Sequence, residues 1–401
     1  MNFLIIVDDY LPTSTKVAAK MMHELAIELI SRGNNVTVLT PQNNQKKKME
    51  LTVIDSVTVI NFKSGKIKNT NKIKRGINES MLSYFAWKSA GKYLTENPQD
   101  IILYYSPSIF WSQIVKRLKK KWTAPSYLIL RDIFPQWTID NGLMKNNSTI
   151  HKYFKFFEKK TYEAADCIGV MSPKNLDYFN KHVKSSKKVE VLYNWSKIGD
   201  YDKKLSSHRK NLKLENKVVL FYGGNIGVAQ NIENLLKLAI KLRDNDRAHF
   251  LFVGNGDEVF LVKEFIERYN LTNTTYLPSV NQEIYEEMLC EFDIGLFSLH
   301  PNHSTHNFPG KLLSYMFFEK PILGSVNKDN DLMYMINSEN AGFVFENGND
   351  ENLTKAALDL IDSVKLRLEM GQNGKALLEN RFSVKNAANQ IIDFLDEHYV
   401  H

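Results

Sequence analysis

A short apolar strand followed by an amphipathic helix repeats along most of this chain, and that repeat limits the folds open to it. Phe3-Leu4-Ile5-Ile6-Val7 is a continuous apolar run, the pattern of a parallel strand covered on both faces. Val17, Met21, Leu25 and Leu29 then recur at helical spacing, with Ser14 or Thr15 as cap and Arg32-Gly33 as the stop. The next strand falls at 36–39. Further strands are expected at 101–104, 127–130, 167–170 and 189–192, with helices around 77–95, 108–121, 150–165 and 173–182. The alternation pauses over the polar, weakly periodic residues 194–215. A second series follows, with strands at 218–222, 249–253, 293–297, 321–324 and 342–345. Two such series predict an α/β chain of two doubly wound domains, with ligands beyond the carboxyl ends of the strands and both sets of ends facing a central cleft. The expected boundaries are 1–198 and 199–380, with a closing segment, 381–401, as a helix packing back on the first domain.

With 43% hydrophobic residues over 401 positions, two cores can form without disulfides. Cys167 and Cys290 lie far apart and neither belongs to a Cys-x-x-Cys pair. They read as two buried apolar thiols in a reducing compartment, not as a zinc site or disulfide framework. The opening residues lack a basic n-region, so no signal peptide is expected. No stretch approaches the ~18–20 apolar residues of a membrane span. A cytoplasmic protein, peripheral on the inner face of the cell membrane, is the expectation.

The net charge of +7 hides a split: residues 1–198 hold 31 basic and 16 acidic residues, and the remainder 21 and 29. Residues 46–121 alone hold 16 basic against 5 acidic. The asymmetry suits an anionic membrane surface or a phosphorylated acceptor, and equally a solvated lysine-rich surface. Two basic stretches lie beside aromatics: Lys63–Arg75 ahead of Met81, Tyr84, Phe85 and Trp87, and Lys116-Arg117-Leu118-Lys119-Lys120-Lys121-Trp122. No nucleic-acid-binding module is recognisable, and no nucleic-acid partner is expected.

Three stretches carry candidate chemistry. In Tyr222-Gly223-Gly224-Asn225-Ile226-Gly227, glycines between a strand and a helix let backbone amides approach an anion, and a diphosphate is the natural ligand. A plain tight turn is the alternative. In Phe308-Pro309-Gly310-Lys311, a polar loop enters a helix with a lysine in its first turn. That lysine opposes the helix dipole unless an anion binds there. A solvated surface lysine is the alternative. Arg131-Asp132-Ile133-Phe134-Pro135 follows a strand, so Asp132 stands at its carboxyl end, either paired with Arg131 or accepting hydrogen bonds from a sugar. His300, His303 and His306 cluster without a carboxylate or cysteine at ligand spacing, and no metal is expected.

Together these stretches resemble the retaining family 4 glycosyltransferases of GT-B fold, which pair two Rossmann-like domains. The likeness runs from end to end. Val7-Asp8-Asp9-Tyr10-Leu11-Pro12 and His23-Glu24-Leu25 occupy the family's first acceptor-side loop and helix. Asp132 stands in an Asp-x-x-Pro element, Ala165-Asp166 and Met171-Ser172-Pro173 match an Ala-Asp…Ser-Pro stretch, and Asn194-Trp195 replaces Asn-Gly before the linker. Gly224-Asn225-Ile226-Gly227 matches the second domain's phosphate turn, and Pro309-Gly310-Lys311-Leu312 with Tyr315 resembles the donor-site helix. One departure stands out. The family's two donor-site glutamates align with His306 and Ser314. The first serves the donor sugar in the family and the second the ribose.

The chain looks most like bacterial surface-polysaccharide transferases, including those assigned to N-acetyl-L-fucosamine transfer. For such a 6-deoxy-L-sugar, His306 reads as an adaptation. The resemblance implies metal-independent, retaining transfer from a UDP-sugar to a polyprenyl-diphosphate-linked saccharide, as in O-antigen, lipopolysaccharide or capsule synthesis. No cofactor is implied beyond the nucleotide sugar. Gly227 and Lys311 would serve the diphosphate, Val280 the base, Phe308, Pro309 and Gly310 the sugar pocket, and Asp132 a sugar. Competing readings are a nucleotide-sugar epimerase of the same fold and a non-catalytic nucleotide-sugar-binding partner subunit.

Overall fold

The computed structural model describes residues 1–14, 17–67, 70–140, 142, 144–183, 186–201, 206–302 and 308–400. The chain divides into two compact units, Met1–Lys197 with Val384–His401, and Ile198–Ser383.

The first unit is built on strands β1 Asn2–Ile6, β2 Asn35–Gln42, β3 Met49–Ile54, β4 Val57–Lys63, β5 Ile101–Ser106, β6 Ser126–Leu130, β7 Cys167–Val170 and β8 Lys188–Val191. Among the described residues they form one eight-stranded sheet in the order β3-β4-β2-β1-β5-β6-β7-β8. All neighbours are parallel except β3 and β4. The two-residue period of β1 separates its faces. Phe3 and Ile5 join the helices Val17–Ser31 and Val384–Val400 in one core, while Leu4 and Ile6 join Leu82, Ala86 and Ala90 in the other. The closing helix thus supplies Ala388, Ile391 and Leu395 to the first unit's core. Its start is tied to the crossing chain by Val384 N–H donating to Ser196 O at 2.9 Å. Next to that crossing, Trp195 is buried and its indole N–H donates to Met21 O at 2.8 Å. Cys167 sits in the same core, where burial pushes its thiol up to about 12; no disulfide joins it to Cys290, which is half-buried.

The hairpin β3–β4 departs from the expected alternation. Asp55 and Ser56 turn it with φ of 48° and 67°. That left-handed pair usually calls for Asn-Gly or Asp-Gly, so the turn carries no glycine signal. The helix expected at 77–95 is two helices, Lys72–Ser80 and Leu82–Glu96, meeting at Met81.

The second unit contains β9 Val218–Gly223, β10 Ala248–Val253, β11 Thr274–Leu277, β12 Ile294–Ser298, β13 Ile322–Val326 and β14 Gly342–Glu346. They form a parallel sheet, among the described residues, in the order β11-β10-β9-β12-β13-β14. β9, β10, β12 and β13 are buried along their whole length, which is why they read as unbroken apolar runs. In each unit the strand order reverses beside the first strand, between β1 and β5 and between β9 and β12. Open sheets hold ligands at the carboxyl ends of such strands.

Candidate active site

In the second unit, two glycine-bearing loops lie backbone against backbone at the carboxyl ends of β9 and β10. Gly224 has φ of 117°, a conformation that favours glycine. A Cβ on Gly254 would come 1.8 Å from Gly224 O, and one on Gly256 2.1 Å from Ile226 O. Gly224 N–H donates to Val253 O and Ile226 N–H to Asn255 O, both at 2.9 Å. Those two amides are therefore taken up in holding the turn. The amides of Asn225 and Gly227 have no hydrogen-bond partner among the described residues. The Asn225 side chain donates to Gln230 Oε1 at 2.8 Å, and the Asn225 backbone carbonyl accepts from the Tyr222 hydroxyl at 2.5 Å. Gly227 precedes a single 3-10 turn, Val228–Gln230, before the helix Ile232–Lys241 begins.

Lys311 opens the helix Lys311–Phe317 beside this turn. Its Nζ lies 3.4 Å from the centroid of the Tyr222 ring and would be 3.9 Å from a Cβ on Gly224. The ammonium is buried and has no hydrogen-bond partner among the described residues. Burial holds its pKa well below the usual 10.5. A buried cation without a counter-charge costs several kcal/mol. A desolvated cation–π contact returns only about 2 kcal/mol. The site is thus incomplete electrostatically, and an anion placed against Lys311 and the Asn225 and Gly227 amides would complete it.

Tyrosines fix this geometry. The Tyr315 hydroxyl lies 3.0 Å from Leu296 O and accepts from Gly223 N–H at 3.3 Å, joining the helix to β12 and β9. A Cβ on Gly295 would sit 2.4 Å from Tyr315 Cγ, so only glycine leaves room for that ring. Tyr285, on the helix Gln282–Glu291, lies against Gly223, where a Cβ would approach its Cε2 to 2.3 Å. Burial raises the pKa of the Tyr285 phenol, and Ser314, at the family's ribose-glutamate position, draws it the other way. Val280 is half-buried in the loop after β11, where Asn255 Nδ2 donates to Ser279 Oγ at 2.6 Å.

In the first unit, Asp132 follows β6 and is half-buried. Burial, and secondly the charge of Asp8 beyond β1, push its carboxyl up to about 6 against the opposing pull of Arg131. Of the two alternatives for Asp132, the pairing with Arg131 is not formed. The Arg131 guanidinium donates to the carbonyls of Leu130, Gly169 and Tyr193 at 3.2–3.4 Å and lies 5.2 Å from the Trp195 ring. Burial lowers it to about 10.

Of the residues singled out in the sequence, the second unit brings together Gly224, Asn225, Gly227, Lys311 and Ser314, with Val280 on an adjoining loop. Phe308 is buried, its ring 4.6 Å from that of Phe382, so its side chain packs in the interior. Pro309 and Gly310 are half-buried at the head of the Lys311 helix. His303 and His306 lie outside the described residues, while His300 N–H donates to Ala229 O at 3.0 Å. Asp132 belongs to the first unit. Tyr285, and the place of the Tyr222 ring against Lys311, went unforeseen, because a tyrosine in an apolar strand or amphipathic helix reads as core.

Residues 18–195 match the family described as Glycosyltransferase Family 4, and residues 202–377 match Glycosyl transferases group 1. A probable glycosyltransferase of Pseudomonas aeruginosa, WbjE, is 24% identical over 219 residues, 54% of this chain and 54% of that protein. The chain thus spans about half the length of this relative. Among solved structures, sucrose-phosphate synthase of Thermosynechococcus elongatus superposes with a TM-score of 0.77 over 100% of this chain and 99% of that one, at 13% identity. HepE of Anabaena, in complex with UDP and glucose, gives 0.71 over 99% and 100%, at 14% identity. The chain has the GT-B fold, with a first stretch that matches the family 4 glycosyltransferases and a second that matches the group 1 glycosyl transferases.

Proposed function

We propose that this protein transfers a sugar from a UDP-sugar to a lipid-linked saccharide, with retention at the anomeric carbon and without a metal ion. The observation that carries the reading is the buried, unpartnered Lys311 ammonium beside the glycine turn. A nucleotide diphosphate supplies the missing anion, and a GT-B protein of similar fold is known in complex with UDP and glucose.

During transfer, the bond between the sugar's anomeric carbon and the diphosphate oxygen breaks while the acceptor oxygen bonds to the same face. The acceptor's proton passes to the departing diphosphate oxygen. Lys311 and the Asn225 and Gly227 amides stabilise the charge growing on that diphosphate, an electrostatic role whose donors need no reorganisation during the step. Asp132 holds a sugar hydroxyl in position. Val280 meets the base. The finer reading is N-acetyl-L-fucosamine as the sugar, with His306 replacing the family's glutamate, and a bacterial surface polysaccharide such as O-antigen as the product. A cytoplasmic enzyme peripheral on the inner membrane suits such an acceptor; among the described residues, no helix is long and apolar enough to cross a membrane.

The test is incubation of the protein with a panel of UDP-sugars, with and without a lipid-diphosphate-linked saccharide. Acceptor-dependent release of UDP and an α- or β-product matching the donor's anomer support the reading. Conversion of the nucleotide sugar without acceptor would mean an epimerase, and no turnover of any donor would mean a binding subunit. His306→Glu should shift donor preference; unchanged preference and rate would remove His306 from sugar selection.

A further inference from the structure

The first unit carries an apolar face that its own core does not use. The helices Lys72–Ser80 and Leu82–Glu96 place Ile77, Met81 and Tyr84 outward at i, i+4 and i+7. Leu82, Ala86, Ala90 and Leu94 of the same run face the sheet. The helix Thr149–Ala164 places Ile150, Tyr153 and Phe156 outward at i, i+3 and i+6, opposite its buried Thr161, Tyr162 and Ala164. Ile77, Ile150 and Phe156 are 60, 61 and 56% exposed. The two stripes form one surface. The Tyr153 hydroxyl donates to Ser80 Oγ at 2.6 Å, and beneath them Ser83 Oγ donates to Phe110 O at 2.5 Å while the Phe110 and Phe157 rings lie 5.0 Å apart. An outward apolar surface of six large side chains needs an occupant.

Its charge says which. Residues 72–88 and 149–160 hold eight basic and two acidic residues. Both acids are already held, Glu79 by Arg75 at 2.8 Å and Glu158 by Lys155 at 2.6 Å. Lys74, Lys88, Lys152 and Lys159 are exposed and have no carboxylate at ion-pair distance among the described residues. The Lys88 and Lys160 ammonium groups lie 5.6 and 5.7 Å from the Tyr84 and Phe156 ring centroids, and Lys160 also pairs with Glu163 at 2.9 Å. A second copy would bring like charges face to face. The other basic stretch is less available: Lys119 pairs with Asp166 at 2.6 Å and Lys116 with Glu163 at 3.4 Å.

We propose that the surface formed by Ile77, Met81, Tyr84, Ile150, Tyr153 and Phe156, with its flanking lysines, docks the protein on an anionic lipid bilayer. Aromatic and aliphatic side chains enter the headgroup boundary while the lysines meet acidic lipid. The inference deepens the lipid-linked acceptor reading, placing the first unit against the bilayer that would hold that acceptor. It stands or falls apart from the transfer chemistry.

The test is co-sedimentation of the full chain with phosphatidylglycerol–phosphatidylcholine vesicles, with phosphatidylcholine vesicles, and at rising salt. The wild type should bind the acidic vesicles, with binding that weakens as salt screens the charges. Ile77→Ser with Phe156→Ser, and separately Lys74→Glu with Lys152→Glu and Lys159→Glu, should each lower the bound fraction at least fivefold. Lys120→Ser with Lys121→Ser should leave it within twofold. Melting temperature and UDP affinity, unchanged in these surface variants, keep folding and the donor site separate from the result. Wild-type-like binding by both patch variants would overturn the proposal. So would a wild-type dimer that Ile77→Ser with Phe156→Ser splits, with no vesicle binding by either form, because a second copy would then own the face.

Discussion

Lys311 and Asp132 are ionisable side chains of the candidate sites whose surroundings oppose their charge, and each leaves a different signature. The Lys311 ammonium is buried against Tyr222 with no hydrogen-bond partner among the described residues. Replacing it removes an uncompensated charge, so Lys311→Met should leave stability unchanged or raise it by an amount on the order of 1 kcal/mol. The same variant should lose at least tenfold in turnover, about 1.4 kcal/mol of transition-state stabilisation. Thermal melts beside steady-state rates check the pair of outcomes; a fall in both would make Lys311 a structural residue. Asp132 behaves oppositely with pH. Its folded pKa of about 6 lies above the usual 3.8. Its protonation therefore contributes stability that is full below about pH 4 and lost as pH rises through 6. Asp132→Asn should flatten that part of the stability–pH curve, by about 1–2 kcal/mol after solvent screening, in urea melts at pH 4 and 7. It should also lower turnover if the carboxylate positions a sugar, and remove a rate limb near pH 6.

The glycine turn is the element on which the donor reading depends, because its carbonyls pack where a side chain would sit. Gly254→Ala would set a Cβ 1.8 Å from Gly224 O, a backbone atom that cannot swing aside. The loops must separate, at a cost of about 1–3 kcal/mol by analogy with overpacked cores. Melting temperature and UDP affinity should fall together; calorimetry showing wild-type affinity would mean that the turn does not hold the diphosphate. The strands that were legible in the sequence, such as β1, β9 and β10, are buried on both faces and so appear as apolar runs. The β3–β4 hairpin was not legible. β3 is a largely exposed edge strand and its turn uses Asp55-Ser56 without glycine. β11 was missed because Thr274-Thr275-Tyr276-Leu277 is mostly half-buried and mixed in polarity. In the site, Gly224 and Lys311 announced themselves through turn and helix chemistry. Tyr285 did not, since only the folded sheet brings its helix against Gly223.

At the scale of the whole molecule, the chain leaves its first unit at Lys197 and returns to it at Val384. The closing helix is therefore core and not appendage: Ala388, Ile391 and Leu395 are fully buried in the first unit. Ile391→Ala should destabilise that unit by about 2–5 kcal/mol. Scanning calorimetry should show it as an earlier first-unit transition, with the donor affinity of the second unit kept. A loss confined to the second unit would contradict this assignment. Donor binding would rest on the second unit recognising a diphosphate through Lys311 and the turn at Gly224. The most direct test is the heat of binding of UDP to the wild type and to Lys311→Met. Micromolar binding is expected of the wild type, and at least tenfold weaker binding of the folded variant. No binding to the wild type, or equal binding to both, would contradict this reading.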